Sequence, residues 1–111
     1  MKPMIANLEK LVGGPRDGAL LRLSLGNAWL AEDAARAVEH YRAALGFDPG
    51  YSAAWKGLAK ALEQCGDDRA ALAAYRDGIA AAAQRGDRQA EKEMTVFARR
   101  IEKRLNDAAR P

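Results

Sequence analysis

Leu25-Gly26-Asn27-Ala28-Trp29-Leu30, a short break, then Ala37-Val38-Glu39-His40-Tyr41-Arg42-Ala43-Ala44, closing on Asp48-Pro49, is the stretch that decides the fold. Leu25 and Trp29 stand four residues apart with Gly26 beside them, and Ala37, Tyr41 and Ala44 follow at steps of four and three. Steps of three and four bring residues to one face of a helix, so each run reads as a helix with bulky and small residues on the same side. Asp33 stands where the second run needs an N-cap, and Pro49 cannot continue it. Two helices joined by a tight turn make a hairpin.

The stretch recurs. Leu25, Gly26 and Trp29 are matched 33 residues later by Leu58, Ala59 and Leu62, while Ala37, Tyr41 and Ala44 are matched 34 residues later by Ala71, Tyr75 and Gly78. The one-residue slip falls around Ala31 to Asp33, in a turn that tolerates a deletion. Small residues at Gly26/Ala59, Ala37/Ala71 and Ala44/Gly78 let two helix backbones approach, and the large residues fill the spaces beside them.

In this pattern the chain resembles the tetratricopeptide repeat family. That family pairs a Leu-Gly step and a following large residue on one helix with Ala, an aromatic and Ala on the next, then a proline. Leu25-Gly26, Trp29, Ala37, Tyr41, Ala44 and Pro49 supply the first unit. Trp55, Leu58-Ala59, Leu62, Ala71, Tyr75 and Gly78 supply the second. Two departures stand out: Arg22 replaces a large apolar residue, and Ala83 replaces the proline. The resemblance covers roughly residues 19 to 85 and implies an all-α, right-handed α-solenoid of antiparallel helix pairs.

Working outward, the chain of 111 residues fits one domain with one modest core. Ala, Leu, Glu, Lys and Arg dominate and β-branched residues are scarce, which favours helix and leaves too little for a sheet. Breakers at Gly13-Gly14-Pro15, Asp48-Pro49-Gly50, Cys65-Gly66-Asp67 and Arg85-Gly86-Asp87 divide the chain into six expected helices. They run near 4–12, 17–31, 34–47, 52–65, 68–84 and 87–109, with Asp17, Asp33, Ser52, Asp67 and Asp87 as candidate N-caps. The expected organisation is a cap helix in 1–16, repeats in 17–50 and 51–85, and a cap helix in 86–111. Met4, Ile5, Leu8, Leu11 and Val12 give the first cap an apolar face. Ala90, Met94, Ala98, Ile101, Leu105 and Ala108 give the last one a stripe, with Phe97 beside it. Repeat proteins need such ends with a polar outer side.

The resemblance also implies where a ligand would sit. In the family the first helix of each unit lines a concave groove. The corresponding positions here are Leu20, Leu23, Asn27, Leu30 and Ala31 in the first unit, and Ala53, Lys56, Lys60, Glu63 and Gln64 in the second. Lys56 and Lys60 share a helix face, and their ammonium groups suit a carboxylate beside the leucine shelf. The implied partner is another protein, presented as a peptide or helix, preferably acidic; a homodimer made through the leucine face or an end helix is the alternative. One family variant clamps a chaperone's terminal carboxylate. Asn27 fits that clamp, but Leu23 and Gly57 do not, and the third repeat it requires is missing.

No catalytic, metal or cofactor site is expected. His40 is the only histidine, so a triad, a histidine metal cluster or a His-paired thiol would have to use it, and it reads as a surface residue; Cys65 is the only cysteine, so no internal disulfide can form. Gly13-Gly14-Pro15 lacks the lysine and hydroxyl residue of a phosphate loop. A net charge of +3 is a mild surplus. Its densest run, Arg99-Arg100-Ile101-Glu102-Lys103-Arg104, has no aromatic interleaving and is weak ground for nucleic acid. No apolar run approaches a membrane span and the N-terminus lacks a leader's pattern, so a cytoplasmic protein is expected.

Overall fold

A computed structural model describes residues 2–110. Six helices follow one another and, among the described residues, no strand occurs: α1 (Pro3–Glu9), α2 (Ala19–Leu30), α3 (Ala34–Phe47), α4 (Ser52–Gln64), α5 (Asp68–Arg85) and α6 (Arg88–Ala109). The antiparallel hairpins α2–α3 and α4–α5 stack in sequence, α3 lying against α4, and α6 packs on α5 with a lighter touch on α4.

Local chemistry sets most boundaries. Asp33 accepts from the amides of Ala35 and Arg36, Asp67 from Ala70, and Asp87 from Ala90, satisfying first-turn donors that the helix cannot satisfy itself. Gly66 and Gly86 sit at φ +82° and +75° just past α4 and α5, a region that favours residues without a Cβ. There the amides of Asp67 and Asp87 reach back to the carbonyls of Leu62 and Ala82 and close each helix.

Two expected caps act otherwise. α2 begins after Gly18, because Asp17 spends its carboxylate on the amides of Gly13 and Gly18 and on the guanidinium of Arg22. α4 is capped at Tyr51, and the hydroxyl of Ser52 donates to Asp87, tying the start of α4 to the start of α6. The first helix is shorter than expected. It ends at Glu9, and Leu11 and Val12 cover the core from the following turn.

The core is where the repeated residues meet. Tyr41, Tyr75, Ile5, Leu25, Met94 and Ile101 are the largest fully buried side chains, and Ala37, Ala44, Ala59 and Ala71 have no exposed surface. Burying each large apolar side chain contributes on the order of 1.5–3 kcal/mol. The small residues earn their place sterically: a Cβ at Gly26 would fall 2.6 Å from the Tyr41 ring, and one at Gly78 would fall 2.6 Å from the Met94 sulfur.

The two departures from the repeat pattern are both absorbed by charge. Arg22 makes a bidentate pair with Asp17, at 2.9 and 3.1 Å, and its Nη1 lies 3.4 Å from His40 Nδ1. With no proline at Ala83, α5 runs on to Arg85, whose guanidinium reaches the Asp48 carboxylate at 3.0 Å and ties the two hairpin ends together.

Candidate functional site

The first helices of the two hairpins, α2 and α4, form the walls of a cleft of about 280 Å³. Leu23, Asn27 and Leu30 line it from α2, Ala53, Lys56, Gly57 and Lys60 from α4, and Tyr41 of α3 forms its floor. Thus six of the expected site residues come together. Leu20 lies outside the cleft, 69 % exposed at the start of α2. Glu63 and Gln64 lie outside it too, near the end of α4.

The floor explains the walls. Tyr41 is fully buried, and burial pushes its phenol up to about 12. Its hydroxyl donates to Asn27 Oδ1 at 2.6 Å. With one lone pair of the oxygen engaged, the amide N–H groups of Asn27 remain available as donors. The ring rests against Gly26 on one side and Gly57 on the other. Gly57 was expected to matter only as a missing clamp residue. Its contact with Tyr41 depends on two helices meeting, so no local pattern announces it.

The two lysines are not the free ammonium groups that the sequence suggests. Lys56 Nζ donates to Glu93 of α6 at 3.0 Å, and that donor together with Gln89 holds the Glu93 carboxyl below its ordinary range. Lys60 stands 5.2 Å above the ring of Phe97, also on α6, and forms no ion pair among the described residues. Glu63 serves the fold: it accepts from the Tyr75 hydroxyl and from Arg104, which also grips Asp68 at 2.9 Å. The Asp68 carboxyl is lowered by that guanidinium.

Phe97 fills the corresponding floor position between α4 and α6, so the opening that remains there lies toward the helix starts, between Ala53 and Lys56 of α4 and Ala90 and Glu93 of α6. Met94, Phe97 and Ile101 repeat in α6 the spacing of Ala54, Gly57 and Ala61 in α4. Tyr41 meets Gly57 and leaves space above it, whereas Tyr75 meets the Phe97 ring at 5.7 Å and the space is filled. α1 stays away from the cleft: no α1 residue lines it, and Leu23 and Leu30 are left half-buried.

His40 is not the surface residue expected. Its side chain is only 12 % exposed and lies between α1 and α2, with Nε2 3.1 Å from Glu9 Oε1 and Nδ1 toward Arg22. The same Glu9 oxygen accepts from the Trp29 indole at 2.9 Å. This network docks α1 and offers no nucleophile. Cys65 is exposed at the end of α4. Among the described residues, no cluster of His, Cys, Asp and Glu is arranged for a metal, and no helix is long and apolar enough to cross a membrane.

Comparison with known proteins agrees with this architecture. A tetratricopeptide repeat model matches residues 28–91. The TPR repeat-containing protein PA0015 of Pseudomonas aeruginosa is 50% identical over 101 residues, covering 90% of this chain and 96% of that one. The solution structure of protein BPP2914 from Bordetella parapertussis is similar at a TM-score of 0.80 and 42% identity, covering 94% of this chain and 91% of its own. These repeats generally mediate contacts between proteins. With two stacked hairpins carrying the repeat residues at their closest contacts, the chain belongs to the tetratricopeptide repeat family.

Proposed function

We propose that this chain is an interaction module that holds an acidic peptide or helix of a partner protein in the cleft between α2 and α4. One observation carries the reading: the polar groups that the cleft presents are donors. The Asn27 oxygen accepts from Tyr41 and its amide N–H groups remain donors, while Lys60 offers an ammonium group and Lys56 one already paired with Glu93. No acidic side chain lines it. A carboxylate satisfies such a set, and Leu23 and Leu30 provide the apolar wall for an aliphatic neighbour. Lys60 is the principal cation, since Glu93 already neutralises Lys56. A cytoplasmic setting, a non-catalytic role and the division into two repeats between cap helices belong to the same proposal.

The test is affinity capture with the purified chain as bait, followed by identification of the retained proteins. A bait carrying Asn27→Asp with Lys60→Glu should lose a chain that the native bait retains, while keeping its helical circular dichroism. Retention by both baits would overturn the assignment of the cleft. The competing reading is a homodimer, favoured by the exposure of Leu20. Sedimentation separates them, because a monomer at micromolar concentration rules against self-association.

A further inference from the structure

We infer that α6 carries a second docking surface, on its solvent side, shaped for an acidic helix of a partner protein. Arg88, Lys92, Arg99 and Lys103 follow one another at steps of four, seven and four, so they share one side of α6 over roughly 22 Å. All four are exposed, and none forms an ion pair among the described residues. The rest of the basic run behaves differently: Arg100 lies over the Phe97 ring and Arg104 is held by Asp68 and Glu63. The dense run from 99 to 104 is therefore not one patch, and the uncommitted charge belongs to a longer stripe that starts at Arg88.

This stripe works against its own helix. Arg88 and Lys92, like Arg99 and Lys103, are like charges four residues apart and repel. Arg88 also sits in the first turn, where the helix dipole disfavours a cation. Asp87 at the cap and Glu91 in the first turn offset the dipole term at Arg88, so the like-charge pairs are the departure that remains, and departures of this kind mark surfaces with another use. Val96, 47 % exposed, lies midway along the stripe. It belongs to an open, shallow groove between side chains of α6 alone, with Arg88, Glu91, Lys92, Thr95 and Arg99 around it.

The position in the stack says what fits. α6 buries Met94, Ala98 and Ile101 against the stack, and Arg88, Lys92, Arg99 and Lys103 lie on the opposite side. No described helix pairs with α6 there. A helix from another protein can lie in that place, its carboxylates four apart meeting Arg88 and Lys92 at one end and Arg99 and Lys103 at the other, with an aliphatic side chain on Val96. Glu91 lies within the groove and calls for a basic residue on the partner. A nucleic-acid backbone would be repelled by Glu91 and would gain nothing from Val96.

A labelled synthetic helix of about 20 residues tests this, carrying glutamates at steps of four, seven and four, a leucine midway and a lysine opposite Glu91. Fluorescence anisotropy with the full chain should show binding at least ~10-fold tighter than to a scrambled peptide of the same composition, and Lys92→Glu with Arg99→Glu should remove that difference. Lys60→Glu should leave it unchanged, which separates this surface from the cleft. If the substituted chain melts early, Lys92→Gln alone serves and should weaken binding in part. Equal binding of the scrambled peptide, tighter binding of a duplex DNA of similar length, or loss of binding with Lys60→Glu would overturn the proposal.

Discussion

The ring of Tyr41 lies so close on Gly57 that the next hairpin has no room for even a methyl group at that point. A residue of the first hairpin and a gap in the second are therefore one feature, and the cleft exists because both are present. Replacing Gly57 by alanine improves helix propensity by up to ~1 kcal/mol yet forces the buried ring to shift, an overpacking cost of about 1–3 kcal/mol. Gly57→Ala should lower the urea midpoint. An unchanged or raised midpoint would mean that the two hairpins slide apart freely.

The Asp17–Arg22 pair predicts how the protein meets acid. Arg22, helped by the amides of Gly13 and Gly18, holds the Asp17 carboxyl at about 2, below its ordinary 3.8. A carboxyl lowered by folding stabilises the native state above its unfolded value, and that stabilisation fades as pH falls toward the folded one. Native protein should lose stability between roughly pH 4 and pH 2 more steeply than Asp17→Asn, measured by urea unfolding at each pH. Parallel curves would remove Asp17 from the account.

Phe97 fills the space beside Tyr75 between α4 and α6, and its removal should widen the cleft there. Its ring touches Tyr75 and lies beneath Lys60 and Arg100. Phe97→Ala should cost about 2–3 kcal/mol, below the range for a fully buried ring because Phe97 is partly exposed. Val96→Ala next to it, on the exposed side, should stay within ~0.5 kcal/mol. Similar losses for both in thermal melts would contradict this packing.

The contact between Lys56 and Glu93 is a solvent-screened pair and contributes little to stability. Lys56→Glu places two carboxylates together and should lower the melting temperature slightly. The exchange Lys56→Glu with Glu93→Lys should restore most of that loss. A double variant no better than the single one would show that the pair does not tie α6 to α4.

Trp29 and Glu9 govern α1. Trp29→Phe keeps the ring and removes the donor that Glu9 accepts, a loss of about 1 kcal/mol. Hydrogen exchange should quicken at amides 5 to 12 and stay unchanged in α4 and α5. Uniform acceleration would mean that α1 is not an independent flap but part of the global fold.

The helices, their hairpin pairing and the contacts at Gly26, Ala37, Ala44, Ala59, Ala71 and Gly78 were legible in the chain itself. Helical spacing, turn residues and side-chain size are properties of near neighbours, and they recur in phase. Asp33, Asp67 and Asp87 could likewise be assigned as caps, because a cap acts within one turn. Asp17 and Ser52 were misread for the complementary reason: Arg22 donates to the Asp17 carboxylate, and the Ser52 hydroxyl donates to Asp87, which caps α6 far along the chain.

Which polar groups stay available was decided only by the tertiary structure. Lys56 and Lys60 share a helix face in any reading, yet Glu93 engages one and Phe97 carries the other because α6 folds back beside α4. Asn27 gains a fixed partner for its oxygen only when α3 brings Tyr41 beneath it, and His40 leaves the surface only when α1 brings Glu9 over it. Periodicity dictates which side of a helix is buried. Partnership between charges depends on separations of a few ångströms across helices dozens of residues apart, and no local pattern encodes those distances.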